Sequence, residues 1–304
     1  MITQPSVVFL GSGPVAAQSL RLLQDHAHIE AVITKASTEE MLRGASPADT
    51  PVLTANNKHE LNALIAEQQF VSPVGIVIDY GVIISPQTIN SFPKGIINSH
   101  FSLLPELRGA DPISFAILSG ATRTGVSLML IDEGLDTGDL LAQCPYELTN
   151  DITTPDLTEQ LIELSDRMLR EILPKYLNDD IVSVDQIQAT IADSKTPTHS
   201  RKLTKDDGVL DTSKSAVQLQ REVRAFIEWP KTRIKIGNKD VVITSTIVSD
   251  LQIGKPGDIV QSNKHLLVQT AEGTLDVLTL KPAGKKEMTA ASFLAGYSHL
   301  VPKQ

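Results

Sequence analysis

Two short apolar segments between Gly95 and Asp139 restrict the fold of this chain more than any other stretch, because both stop abruptly in polar, chemically able residues. Ile96-Ile97 gives way to Asn98-Ser99-His100, as a buried parallel strand does where it leaves a sheet. Asn98 and His100 are two apart, so on an extended backbone they project to one side. Pro105 and Gly109 then turn the following loop back on itself. Val126 to Ile131 is a second apolar segment, and it empties into the acidic, glycine-punctuated run Asp132-Glu-Gly134-Leu-Asp136-Thr-Gly138-Asp139. An amide, an imidazole and a carboxylate are thereby expected at strand ends, where open α/β sheets hold their ligands.

Those three groups suit acyl transfer to an amine. An amide NH₂ and a protonated imidazole can both donate to the oxyanion that develops on a carbonyl under attack. A carboxylate can set the imidazole's protonation state and help remove the proton that the amine must lose. No nucleophilic side chain is needed: the chain has no Gly-x-Ser-x-Gly elbow, and its only cysteine, Cys144, lies elsewhere. Taken singly, each residue has an ordinary alternative, Asn98 as a turn cap, His100 as a satisfied core histidine and Asp136 as a tight-turn residue.

The rest of the first half alternates strands and helices. Ser6 to Leu10 reads as a buried strand, followed by Gly11-Ser-Gly13-Pro-Val-Ala16 and an apolar-periodic helix to about Leu23. Gly-x-Gly-x-x-Ala satisfies the dinucleotide fingerprint, but the next strand, Ile29 to Thr34, ends in Thr34-Lys35 instead of the acid that would hold a ribose. Close packing of the turn is the better reading. Lys35 to Pro51 is a long polar connection. A helix near His59 to Gln68, a strand near Val74 to Ile78, a helix from Pro112 to Leu118, a strand from Leu140 to Leu148 and a long amphipathic helix from Pro155 to about Leu177 complete the pattern. The expectation is an α/β fold with a doubly wound, mostly parallel sheet over residues 1–180. Residues 181–204 read as a linker.

Residues 205–304 have a different texture. After a helix from about Ser213 to Phe226 come short runs with strand character, Arg233 to Ile236, Asp240 to Ile247, Asp258 to Gln261, Leu266 to Thr270 and Thr274 to Leu280, parted by Gly-Asn, Pro-Gly and Glu-Gly turns. A small OB-like antiparallel β-barrel with a terminal helix is expected.

Charge is unevenly spread. Residues 201–304 hold 16 Lys and Arg against 11 Asp and Glu, whereas residues 1–200 hold 11 against 25, so a +5 module follows a −14 body. That hints at a basic interaction surface in the second part despite the net charge of −9. The single cysteine excludes an internal disulfide and a cysteine-rich metal site, and no metal is expected. No apolar stretch approaches the roughly 20 residues that span a bilayer. Met1-Ile-Thr-Gln-Pro5 lacks a basic region followed by an apolar run, so no signal peptide is expected. A cytoplasmic, monomeric protein without a membrane partner is the expectation.

Several motifs carry a resemblance. Asn98-Ser-His100, Ser102-Leu-Leu-Pro105, Arg108-Gly109-Ala110-Asp111-Pro112-Ile113 and Gly134-Leu-Asp136-Thr-Gly138-Asp139 resemble the catalytic signature of the formyltetrahydrofolate-dependent formyltransferases. The resemblance implies catalytic roles for Asn98, His100 and Asp136, and 10-formyltetrahydrofolate as co-substrate. It also implies a folate pocket lined by Tyr80, Gly81, Val82, Ile83, Ser102, Leu103, Leu104, Pro105, Asp132 and Gly134. Asp79, Phe101 and Glu106 depart from the residues usual at their positions.

Further motifs resemble the methionyl-tRNA branch of the family: Lys202-Leu-Thr-Lys205-Asp-Asp, Arg224-Ala-Phe-Ile-Glu-Trp-Pro230 and Pro282-Ala-Gly-Lys285-Lys286. This implies formyl transfer to the α-amine of methionyl-tRNA (initiator) for translation initiation, with RNA contacts from Arg43, Lys202, Lys205, Arg224, Lys285 and Lys286. The branch's basic loop is matched here only at Arg43-Gly44, among Glu39, Glu40 and Asp49. The alternatives are a formyltransferase for a sugar-nucleotide amine, a formyltetrahydrofolate hydrolase and a non-catalytic RNA-binding relative.

Overall fold

The computed structural model describes residues 4–303; Met1, Ile2 and Thr3 of the segment read for a leader lie outside the described residues. The chain forms two compact units. One comprises the chain up to Pro112, Arg123–Leu148 and Thr158–Ser200, and the other Ile113–Thr122, Thr149–Leu157 and the chain from Arg201.

The first part of the chain runs β1 (Ser6–Gly11), α1 (Gly13–Leu23), β2 (His28–Thr34), α2 (Glu39–Arg43), β3 (Val52–Thr54), α3 (Lys58–Gln68), β4 (Val74–Ile78), α4 (Pro86–Ile89) and β5 (Ile96–His100). It continues through β6 (Arg108–Gly109), α5 (Pro112–Ser119), β7 (Arg123–Leu130), β8 (Leu140–Glu147), α6 (Thr154–Leu177), α7 (Gln186–Ala189) and β9 (His199–Ser200). Seven of these strands make one sheet in the order β3-β2-β1-β4-β5-β7-β8. The pairs from β3 to β5 are parallel, and those of β7 with β5 and β8 are antiparallel. This is the doubly wound, mostly parallel sheet that the alternation of elements predicts.

Burial explains why β1 and β4 read as unbroken apolar runs. Val7, Val8, Phe9 and Leu10 are fully buried, as are Val74, Ile76 and Ile78, each such aliphatic side chain stabilising the fold by about 1.5–3 kcal/mol. Gly11 has a packing role: a Cβ there would lie 2.6 Å from the Ala16 methyl and 2.8 Å from the Ile78 carbonyl oxygen. The Gly-x-Gly-x-x-Ala turn therefore lets α1 close onto β1 and β4, in keeping with the packing reading of that motif.

Two findings differ from the sequence pattern. The polar connection from Lys35 to Pro51 contains α2, five residues with Glu39 and Glu40 in its first turn and Arg43 in its last, a charge order that suits the helix dipole. The segment read as a linker also has structure up to Ser200. Val184 and Leu140 exchange backbone hydrogen bonds of 2.8 and 2.9 Å, and His199–Ser200 pairs in parallel with Arg108–Gly109.

In the second unit, α8 (Ala216–Ala225) is followed by β10 (Thr232–Ile236), β11 (Lys239–Ser249), β12 (Ile259–Ser262), β13 (His265–Gln269), β14 (Thr274–Pro282), β15 (Met288–Thr289) and α9 (Ala290–Tyr297). The antiparallel path is β10-β11-β14-β13-β12, with β15 added on β14. The expected barrel is thus built as a curled sheet, with register shifts near Ser245 where β11 meets β14, the kind of irregularity that increases local twist. Its concave core gathers Leu219, Val223, Ile236, Ile243, Leu266, Val268, Leu275, Leu280 and Phe293. Each outer strand carries one further bridge, β10 from Val209 and β12 from Lys303, which shortens the strand edge left free to pair with other chains.

Candidate active site

β5 carries two of the three expected residues. Asn98 pairs with Val77 on one side and Met129 on the other, and His100 with Ser127, so both are held by neighbouring strands. Alternation turns Ser99 the opposite way, where its hydroxyl meets that of Ser165 on α6 at 2.6 Å. The His100 side chain is 7% exposed. Its Nε2 lies 3.0 Å from the Leu107 carbonyl oxygen, which makes Nε2 the protonated nitrogen and turns Nδ1 toward Asp136, 3.8 Å from Oδ2.

Asp136 arrives by a route the sequence pattern did not show. Because β7 is antiparallel to β5, its end lies beside Ile97 and not at the edge where β4 and β5 finish. The acidic loop instead folds back, tied by the Leu130 amide donating to the Asp139 carbonyl at 2.9 Å. The Asp136 carboxylate then accepts from the Gly109 backbone N–H at 2.8 Å and faces the Asn98 amide nitrogen at a long 3.4 Å. Two donors, on Asn98 and Gly109, and the Nδ1 side of the His100 ring thus surround one carboxylate. Asp136 itself holds φ +52°, a left-handed conformation that Asp tolerates better than most residues. Gly109, at φ +103°, is needed because a Cβ there would sit 2.6 Å from the Ser200 carbonyl oxygen.

Sequence reasoning missed Gln186. It is 2% exposed, and its Nε2 donates to the carbonyl oxygens of Asp136 at 2.9 Å and Gly138 at 2.8 Å. A lone glutamine in a polar stretch carries no periodic or motif signal. The Gly109 N–H was equally invisible, since backbone donors leave no trace in residue type.

The residues expected around the folate divide into two kinds. Ser102, Leu103, Leu104 and Pro105 are buried, and this turn is tied inward by Ser102 Oγ donating to the Glu106 carbonyl at 2.6 Å and the Leu104 N–H donating to Ser127 Oγ at 3.0 Å. Tyr80 is buried too, its hydroxyl donating to the Ala55 carbonyl at 2.9 Å. Gly81 is exposed and Val82 half-buried, whereas Ile83 is 76% exposed. Asp132 and Gly134 lie exposed on the acidic loop, where Asp132 accepts from the Gly134 N–H and the Thr137 hydroxyl.

Asp79, beside this segment, is chemically unusual. It is solvent-accessible, yet the protein surrounding its carboxyl pushes its pKa up to about 6, with repulsion from Asp111 adding to the shift and Lys35 opposing it. The folded state therefore binds this proton more tightly than the unfolded state. The stability it contributes is full below about pH 3.8 and is lost as pH rises through 6. Asp79→Asn is expected to stabilise the protein at pH 8 by about 1 kcal/mol, discounted for solvent screening, and to be neutral at pH 3.5. Thermal melts of both proteins across that range check it; a constant difference in melting temperature would contradict it.

The cations expected to meet RNA also divide. Lys202, Lys205, Lys285 and Lys286 are exposed, the last two on the turn between β14 and β15. Arg43 pairs with Glu39 one helical turn away at 2.7 Å on the surface, a contact worth under about 1 kcal/mol and easily exchanged. Arg224 differs. It is half-buried, donating from Nη1 to the Ile152 carbonyl at 2.7 Å and from Nε to Gln220 at 3.1 Å, and burial lowers its pKa. Its guanidinium is committed within the second unit. Among the described residues no cluster of His, Cys, Asp and Glu could hold a metal ion, and no helix is long and apolar enough to cross a membrane.

Comparison with known proteins covers most of the chain. Residues 6–173 match the formyl transferase family and residues 202–298 the formyl transferase C-terminal domain. A relative from Myxococcus xanthus (strain DK1622), named methionyl-tRNA formyltransferase, is 34% identical over 308 residues, covering 97% of this chain and 96% of its own. Among solved structures, WlaRD, a sugar 3N-formyl transferase crystallised with dTDP and 5-N-formyl-THF, superposes with a TM-score of 0.67 at 17% identity, over 93% of this chain and 100% of its own. HypX from Aquifex aeolicus in complex with tetrahydrofolic acid gives 0.65 at 16% identity over 99% of this chain, which spans only 49% of HypX. At such identities the two structures speak for the fold alone. The first matched region holds the sheet with Asn98, His100 and Asp136, the second holds the curled sheet, and the relative is matched over nearly its whole length, so the chain belongs to the formyl transferase family.

Proposed function

We propose that this formyl-transfer enzyme moves the formyl group of 10-formyltetrahydrofolate to the α-amine of methionyl-tRNA, acting in the cytoplasm on initiator tRNA for translation initiation. The observation that carries the reading is the convergence of Asn98, His100 and the Gly109 N–H on the Asp136 carboxylate. The methionyl-tRNA acceptor is supported by the whole-length relative of that name.

The residues divide the work as their chemistry dictates. The amine attacks the formyl carbon, a C–N bond forms, and the bond to the folate nitrogen breaks as that nitrogen takes up a proton. Asn98 Nδ2 and the His100 ring, once its Nε2–H exchanges the Leu107 carbonyl for the substrate, stabilise the negative charge that builds on the formyl oxygen. Asp136 accepts the proton that the amine loses, directly or through water. In this reading the folate meets backbone at Tyr80-Gly81, since Tyr80 is turned into the core and Gly81 lacks a side chain.

The four exposed lysines and Arg43 are the cations assigned here to phosphates, contacts that orient a nucleic acid without reading its sequence. Replacing Lys285 and Lys286 with alanine should flatten the dependence of tRNA affinity on salt by up to about two units of log–log slope, with folate binding unchanged. Identical slopes would remove both from the RNA contact. The decisive assay supplies formyltetrahydrofolate and charged initiator tRNA and follows formyl-methionyl-tRNA. Turnover only with a sugar-nucleotide amine, release of formate without any amine, or RNA binding with no turnover would each overturn the proposal.

A further inference from the structure

The Gly109 and Asn98 donors hold the Asp136 carboxylate beside His100, but its backbone is held from a different part of the chain. Gln186 opens α7, whose Asp185 cap accepts from the N–H groups of Ile187 and Gln188 at 2.9 and 3.2 Å. The preceding residue but one, Val184, is fixed to Leu140 by paired backbone hydrogen bonds. The glutamine is therefore anchored on both sides before its side chain is considered.

That side chain is saturated. Nε2 uses both hydrogens, one on the Asp136 carbonyl at 2.9 Å and one on the Gly138 carbonyl at 2.8 Å, while Oε1 accepts from Arg108 Nη2 at 2.7 Å. Arg108 precedes Gly109, whose N–H donates to the Asp136 carboxylate. The result is a closed circuit: Gly109 to the Asp136 side chain, the Asp136 carbonyl to Gln186, Gln186 to Arg108, and Arg108 back to Gly109. Asp136 sits in that circuit at φ +52°, a conformation that persists where surrounding contacts over-determine it. A primary amide is the side chain suited to this place, since it offers two donors and an acceptor without charge.

We infer that Gln186 is a positioning residue: by clamping the carbonyls of Asp136 and Gly138, it aims the Asp136 carboxylate at His100 and Asn98, and Arg108 aligns the clamp. This rests on the catalytic reading of Asp136 proposed above. Gln186→Leu keeps the volume and removes all three hydrogen bonds, depriving the buried Gly138 carbonyl and the part-buried Asp136 carbonyl of this donor. Gln186→Glu keeps the shape and the acceptor for Arg108 but loses both donors, and it serves as the second variant if leucine prevents folding.

The test measures kcat and both KM values for wild type, Gln186→Leu, Gln186→Glu, Asp136→Asn and the Asp136→Asn double variants, with circular dichroism as the folding control. The expected result is a 10- to 100-fold fall in kcat for folded Gln186 variants with both KM values little changed, as misplacement of a reacting group by an ångström produces. In the Asp136→Asn background, the same substitutions should add little, because the group they aim has already been disabled. Wild-type kcat in a folded Gln186 variant, or full additivity with Asp136→Asn, overturns the positioning role while leaving the catalytic reading intact. Full activity of Asp136→Asn itself overturns both.

Discussion

Asn98→Ala is expected to lower kcat by about 10²–10³ with folate affinity little changed, and His100→Ala to be at least as damaging. Truncating Asn98 takes away one oxyanion donor and little else, because its backbone is locked between β4 and β7. The loss therefore corresponds to one preorganised hydrogen bond, about 3–4 kcal/mol of barrier. His100 contributes in two ways, as an N–H donor near the substrate and as the partner that Asp136 faces at 3.8 Å, so its removal should cost at least as much. Single-turnover rates with saturating folate, alongside folate dissociation constants, separate chemistry from binding. Near wild-type rates in both variants would refute the assignment.

The second large effect is expected at Asp136, where even the isosteric Asp136→Asn should reduce kcat by about 10² or more. A carboxylate has two acceptor oxygens and no donor, which matches the N–H donors of Gly109 and Asn98 on its two oxygens. Its Oδ2 takes the Gly109 N–H at 2.8 Å and faces His100, and its Oδ1 faces the Asn98 amide. An asparagine can satisfy Gly109 with its single oxygen, but its NH₂ then confronts the Asn98 amide, donor against donor. It also removes the acceptor for the amine's proton. Asp136→Asn with full kcat and an unaltered fold would reduce Asp136 to a turn residue.

How much of this was legible depends on whether burial or geometry made the feature. β1 and β4 are buried on both faces, so Val7 to Leu10 and Val74 to Ile78 had to be apolar and could be read. Asn98 and His100 were legible because period-two alternation is a property of sequence. The direction of β7 was not, since an antiparallel strand buried on both faces has the same composition as a parallel one. β3, with three residues, and the pair Arg108–Gly109 with His199–Ser200 are too short for any periodicity. Arg224 illustrates a further limit. Its residue type suggests phosphate contact, but only the fold shows its guanidinium turned to the Ile152 carbonyl. Gln186 fails for the same reason, its role being set by two carbonyls that no side-chain pattern encodes.

The division of the chain into units has a bearing on modularity. The second unit is drawn from three separate stretches, Ile113–Thr122, Thr149–Leu157 and the chain from Arg201. The first two are stitched to the third by Gln218 Nε2 donating to the Leu118 carbonyl at 3.2 Å, by Thr154 Oγ1 donating to the Ala225 carbonyl at 2.8 Å and by Arg224 on Ile152. Residues 201–304 are therefore not a detachable cassette. Grafted onto another protein, they would leave behind part of their own packing, and a backbone nick after Ser200 would yield two polypeptides that still share one folded body. Exchange of this unit between relatives would have to carry α5 and the start of α6 with it, five chain junctions in place of one.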